Sequence, residues 1–538
     1  MHEIVTLQFG QQANYLGSHF WNTQESYFTY DDPDNTSSAA KAPEPSPVDH
    51  DINFRPGIGA DGSDTYMPRA VIYDLKGAFG SMRKINALYE PEDVGDAALW
   101  PGSTITHRAP TIPPSAYQQA LDAGLQPPAL AKETVRYWSD YSRVYYHPKS
   151  LVQLHEYELQ SQLMPFEGWG VGEELFAGLD KEHDLLDRDL RPFIEECDQL
   201  QGLQVLSSVD DAWGGFSSRY VERLRDEFGK LSIWVWGLEE EEKKPRARLP
   251  SPQPKTPLLT HHLHQQDKKL LQLTNHARSL HAISPNSSAY IPLAAAPTAL
   301  PPYLQTLDPA SRWHTSALQA TALESATLPT RLRAPAAASP LAHLEAVINA
   351  NGTRRIAAAR LSVADPAALA QTLAARMEEE KNQTGNEEAE ELDRDNAFDV
   401  ALSRLGPAPR KPARDALFGR VECLRGGWEA GARVEALNRR ARDRWAGGPV
   451  VERWRTETLF PLLDSFPRIF GVGRESVAVR TALATSSGLA GELRAMGGLV
   501  GRVVGVEERE DLADGLMAMA DEYEEGWDGG LEDSEDDE

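Results

Sequence analysis

Residues 195–208 read EECDQLQGLQVLSS, and residues 209–218 continue VDDAWGGFSS. Residues 203–207 predict a buried strand and 215–228 a helix, so the stretch reads as strand, turn and helix. A turn of this kind holds phosphate when it is glycine-rich, because backbone N–H groups and a helix N-terminus then face the anion. This turn instead carries Asp210, Asp211, Ala212 and Trp213. Two carboxylates repel phosphate, and an indole fills its space.

Working outward, residues 4–9 predict a strand and 11–28 an amphipathic helix, a β-loop-α unit of the kind that opens many nucleotide-binding folds. Residues 69–75 and LSIWVWGL at 231–238 predict further strands, while 129–142, 150–162 and 173–202 carry helical patterning. Alternating β and α elements imply an α/β fold with a parallel sheet. Residues 31–65 read as a surface loop and Pro-rich 109–128 as an insertion. Residues 239–270 turn to charge, prolines and histidines, and read as a linker or insertion. His261, His262 and His264 lie there without cysteines nearby, and read as a polar tract rather than a metal site. Residues 271–376 form an intermediate region with helix and strand in its Ala-rich part, 335–376. Residues 377–397 are an acidic low-complexity segment, 398–520 a C-terminal region, and 521–538 an acidic, solvated tail.

Three segments carry a resemblance to tubulins in the same order along the chain. MHEIVTLQFGQQANYLGSHFW at 1–21 resembles the tubulin start, YMPRAVIYDL at 66–75 resembles a tubulin strand, and 195–218 resembles the CDCLQGFQ strand with its GGGTGSG loop. HTSALQATALESATLPTRL at 314–332 and VAVRTALATSSGLAGELRAM at 477–496 resemble two later tubulin segments. VRYWSDYSRVYYHPKS at 135–150 and ETLFPLLDSFPRIFG at 457–471 are not tubulin-like but resemble segments of the Misato family. The chain is therefore identified as a member of that family, in its fungal branch. This implies a tubulin-like N-terminal part over 1–115 and 129–238, an interrupted intermediate region and a mostly helical C-terminal part.

The tubulin resemblance implies that Gln11, Gln12, Asn14 and Asp74 line a nucleotide pocket, vestigial here because Asp210–Trp213 replaces the glycines. Amide side chains both donate and accept hydrogen bonds at such a site, and they equally cap a helix. Lys76 stands where the resemblance implies an acid near the metal; it is either a neutralising cation or a surface lysine. Tubulin-type hydrolysis also needs an acid from the next subunit. The stretch 333–345 has none before Glu345, and Glu324 lies too early, so both glutamates read as solvent-facing. His147 reads as structural, and Trp138, Tyr141, Tyr145 and Tyr146 read as core before partner surface.

Lys and Arg number 54 against 81 Asp and Glu, a formal charge of −27. This disfavours direct attraction to nucleic-acid phosphate or an anionic membrane surface. The two cysteines, Cys197 and Cys423, provide neither a disulfide framework nor a cysteine-rich zinc site. The first residues read as a core strand rather than a presequence, and no apolar run is long enough to span a bilayer. The resemblance implies a non-enzymatic role in partitioning mitochondria and inheriting mitochondrial DNA, without cofactor or metal. Its implied location is peripheral on the mitochondrion with a cytoplasmic pool. Implied partners are tubulin, cytoskeletal assemblies or a tubulin-folding chaperonin. The alternative is a GTP-binding, tubulin-like polymerising GTPase.

Overall fold

The computed structural model describes residues 3–29, 45–58, 64–82, 112–240, 258–297, 299–349, 351–371, 398–405, 416–428, 450–473, 475–503 and 506–524. Strand β1 (Glu3–Phe9) and helix α1 (Gln11–Glu25) open the chain. A hairpin, β2 (Phe54–Ile58) and β3 (Asp64–Pro68), leads to β4 (Ala70–Lys76). Helix α2 (Ala116–Asp122), β5 (Leu151–Glu158) and α3 (Trp169–His183) precede β6 (Leu200–Ser208) and α4 (Ala212–Glu227). Next come β7 (Ser232–Leu238), α5 (Leu258–Ile283) and β8 (Ala289–Leu293). The six long strands form one parallel sheet in the order β5-β4-β1-β6-β7-β8. Strands β1, β6 and β7 are buried on both faces; β7 reads accordingly as a near-continuous apolar run, whereas β1 and β6 also bury polar side chains, among them Glu3, Gln8 and Gln204.

Helix α6 (Arg312–Thr327) and α7 (Leu341–Ile348) lead into a second, mixed sheet. Its strands are β9 (Ala358–Ala364), β10 (Val400–Ala401), β11 (Leu417–Arg425), β12 (Val450–Thr456) and β14 (Ser476–Ser486), with the short β13 (Phe460–Pro461) beside β14. Helices α8 (Gly488–Val503) and α9 (Val506–Asp521) follow, pack on each other and touch α5. One face of the parallel sheet is covered by α3 and α4, with α5 packed on α4. The other is covered by α1, and α6 fills the space between α1 and the second sheet. Every residue of α1 from Gln11 to Gln24 is buried, as is every residue of α6 from Thr315 to Thr327. Their many polar side chains must therefore find partners inside the protein.

The glycines left in 209–218 serve packing. A Cβ on Gly215 would strike the Trp169 carbonyl oxygen, and one on Gly172 would strike that of Ala212. These two absences let α3 and α4 cross in backbone contact.

Several expectations are corrected. Residues 150–162, read as helical, contain β5: pairing with β4 overrides the helical spacing of Leu151, Leu154 and Glu158. Residues 129–142 hold only a single 3₁₀ turn at Trp138–Tyr141. The insertion at 109–128 contains α2, capped by Ser115, whose side chain accepts from the Gln118 N–H at 3.2 Å. The linker at 239–270 becomes helix from Leu258, so His261, His262 and His264 lie on α5. The C-terminal part ends in two helices, but strands of the second sheet precede them. Glu324 is fully buried rather than solvent-facing, because two arginines neutralise it. Glu345 is half-buried. The acidic segment 377–397 and most of the tail, 525–538, lie outside the described residues.

Candidate functional site

The site lies at the C-terminal ends of β1, β4, β6 and β7, where α1 begins. Gly10 joins β1 to α1 with φ of 89°, and its N–H donates to the Tyr73 carbonyl at 3.2 Å. The register that pairs Phe9 with Tyr73 puts Asp74 beside the first turn of α1. Asp74 is completely buried. Its Oδ2 accepts from Gln11 Nε2 at 2.5 Å, Asn14 Nδ2 at 2.7 Å and Trp138 Nε1 at 3.2 Å, while Oδ1 accepts from the Leu75 N–H at 2.9 Å. Burial pushes the carboxyl up to about 6, against these four hydrogen bonds. Gln12 turns elsewhere: its Nε2 donates to Gln319 Oε1 at 2.8 Å and Thr315 Oγ1 at 3.2 Å, both on α6. Lys76 is exposed at the end of β4.

The second turn approaches from β6. Asp211 caps α4, accepting the Trp213 N–H at 2.8 Å. Starting the helix there, three residues earlier than its apolar pattern, rotates the Trp213 indole onto Gly10. A Cβ on Gly10 would stand 2.5 Å from Trp213 Cδ1 and 2.7 Å from its Nε1. The indole is 3% exposed and meets Phe166 and Phe216 edge-on, with centroids 5.2 and 5.6 Å away.

Four carboxylates surround this turn. Asp210 Oδ2 accepts from the Glu240 N–H at 3.0 Å and Gln272 Nε2 at 3.4 Å. Glu239 pairs with His276 Nδ1 at 3.0 Å, and Glu240 pairs with Arg312, whose Nη2 lies 2.9 Å from Oε2. Burial and then Glu240 push Asp210 up to about 7, and burial and then Asp210 raise Asp211 as well. Sequence reasoning missed Glu239, Glu240, His276 and Arg312, which lie in three separate elements or their flanks; only the fold joins them. Among the described residues no group of His, Cys, Asp and Glu has the arrangement of a metal site.

The two stretches set apart in the sequence, 135–150 and 457–471, meet over α1. Asn22 Nδ2 donates to the Tyr141 carbonyl at 2.9 Å and to Ser465 Oγ at 3.2 Å; its Oδ1 accepts the Arg143 N–H at 2.8 Å. Arg143 and Tyr117 both bond Asp464, at 2.8 and 2.9 Å. Trp313 on α6 donates to the Ser465 carbonyl at 3.2 Å. Trp138, Tyr141 and Tyr146 are core residues, whereas Tyr145 is 43% exposed. His147 is structural, its Nδ1 accepting the Lys149 N–H at 3.2 Å.

A tubulin-domain family model matches residues 127–332, and the Misato segment II tubulin-like domain matches residues 2–123. "Protein DML1" of Phaeosphaeria nodorum is 48% identical, with both chains covered in full; "Protein dml-1" of Neurospora crassa is 44% identical over the full length of both. "Protein misato homolog 1" of Bos taurus is 30% identical over 69% of this chain and 66% of that protein. The chain belongs to the Misato family of tubulin-like proteins. The segments fastened over α1 are the ones whose sequences resembled Misato proteins rather than tubulins. In this family member they are structural: they are hydrogen-bonded to α1 and to each other.

Proposed function

We propose that this Misato-family protein is a non-enzymatic organiser or adaptor that acts in partitioning mitochondria and inheriting mitochondrial DNA, with its tubulin-type nucleotide pocket closed. The observation that carries the closed pocket is the indole of Trp213 against Gly10, at the N-terminus of α1 where an anion would otherwise be held. Two further observations support it. The carboxylate of Asp74 already accepts four hydrogen bonds from protein donors, three of them on Oδ2, and Asp210 and Asp211 lie in the turn that would face phosphate. GTP, the group a tubulin fold implies, therefore does not fit these residues. Gln11, Asn14 and Asp74 act instead as an internal brace, and Glu345 does not serve as a polymer acid.

The mitochondrial role rests on the family. The protein works peripherally on mitochondria and from a cytoplasmic pool, without touching nucleic acid, through tubulin, cytoskeletal assemblies or a tubulin-folding chaperonin. Titration of purified protein with magnesium and GTP is expected to give neither binding nor turnover. Magnesium-dependent turnover that disappears in Gln11→Ala or Asp74→Ala would establish the polymerising GTPase instead. Alkaline carbonate is expected to release the mitochondrial pool, and proximity labelling in cells to recover cytoskeletal or chaperonin subunits.

A further inference from the structure

We propose that Trp138 is a second lock on the first turn of α1, independent of Trp213, and that it fastens the segment 135–150 across the former nucleotide site. The inference rests on the closed-pocket reading and extends it from one side of the turn to both.

The two indoles reach the same helix turn from unrelated parts of the chain. Trp213 comes from the β6–α4 turn and lies against Gly10. Trp138 comes from the 3₁₀ turn Trp138–Tyr141, and its Nε1 donates to the Asp74 oxygen that also holds Gln11 and Asn14. Trp138 is held at its backbone too, since Ser18 Oγ donates to its carbonyl at 3.2 Å. Its ring meets Phe79 and Tyr146 edge-on, at 5.7 and 6.4 Å. The aromatic groups around Trp213 are Phe166 and Phe216, so the two indoles share no ring neighbour among these contacts. Asp74 and Trp213 also lie on opposite sides of the β1–α1 junction, one reached through β4 and the other through β6.

The bond from Trp138 is charge-assisted when Asp74 is ionised, and the bonds of Tyr141 and Arg143 to α1 extend the same attachment. Removing Trp213 would leave this second attachment in place. Asp74 Oδ2 would still be occupied by Gln11, Asn14 and Trp138 and so closed to ribose or a metal-bound water.

Hydrogen exchange on full-length protein tests the idea. Trp138→Phe keeps an aromatic ring and deletes the Nε1–H. Amide exchange across 135–150 is expected to accelerate about tenfold, as for loss of one hydrogen bond to a charged group, with 209–218 unchanged. Trp213→Ala should do the reverse. Unchanged exchange at 135–150 in Trp138→Phe, or equal acceleration at both segments in either variant, would overturn the independent lock. Titration with magnesium and GTP separates this inference from the reading beneath it. Binding by wild type would refute the closed pocket, whereas binding by Trp213→Ala but not wild type would leave the closed pocket standing and refute the second lock.

Discussion

Gly10 and Trp213 form a pair in which neither partner tolerates change. Gly10 adopts a φ that side chains rarely take, and the indole fills the volume a Cβ would need. Trp213→Ala is therefore expected to lower stability by about 3–5 kcal/mol, the range for aromatic truncation in a core, measured by urea denaturation of the purified protein. Gly10→Ala should be comparably harmful, through strain and clash together. Restoring glycine at Asp210, Asp211 and Ala212 should not restore GTP binding while Trp213 remains, and tight binding by that variant would show that the indole is not the obstruction. The residues of this turn were legible in the sequence, because a carboxylate and an indole are chemically alien to a phosphate loop. Gln12 was less so: its amide is as fit for α6 as for a ligand, and only the packing of α6 on α1 decides that it turns there.

At the scale of elements, the buried helix α6 ties the end of α1 to the second sheet through Glu324. Its carboxylate pairs with Arg331 at 3.0 Å and with Arg425 of β11, and it accepts from Tyr27 at 3.0 Å and Gln24 at 3.2 Å, both at the end of α1 or just beyond it. Against burial, which would raise it, the guanidiniums of Arg425 and Arg331 hold this carboxyl below its ordinary range. Glu324→Gln strands two buried cations and is expected to cost about 3–5 kcal/mol, the range for breaking a buried pair, read as a shift in urea midpoint. An unchanged midpoint would mean the arginines find other counter-charges. Most strands of the parallel sheet could be read from apolar runs. Strand β5 could not, since an edge strand with one buried face offers weak alternation that helical spacing mimics. Glu324 looked solvent-facing for a related reason: a charged residue on a helix is usually wet, and the arginine that buries it lies 101 residues away.

For the whole molecule, a net charge of −27 and a calculated isoelectric point near 5.0 mean that repulsion grows as pH rises, and the site adds buried groups that pull the same way. Asp210, faced by Asp211, Glu239, Glu240 and His276, is pushed up to about 7, and Asp74 to about 6. A carboxyl raised on folding favours the folded state below its unfolded value, roughly 3.9, and that advantage is lost as pH rises through the folded value. His276, raised despite burial by Glu239, also favours the folded state most when protonated. Glu324 and Glu422, held low by arginines against burial, act oppositely and lose their contribution in acid. Stability should therefore be greatest in mildly acid solution and decline from about pH 4 to pH 7, between the unfolded and folded values of these carboxyls. Asp210→Asn isolates the share of Asp210, since its amide oxygen still accepts the Glu240 N–H while the titration is removed. Denaturation of both proteins at pH 5, 6, 7 and 8 should show the variant gaining on wild type as pH rises, with the difference levelling off above the folded value. Parallel curves would show that Asp210 contributes none of the pH dependence, and 1 M salt separates surface repulsion from the buried groups, because it screens exposed charges far more than a carboxylate buried beneath β7 and α5.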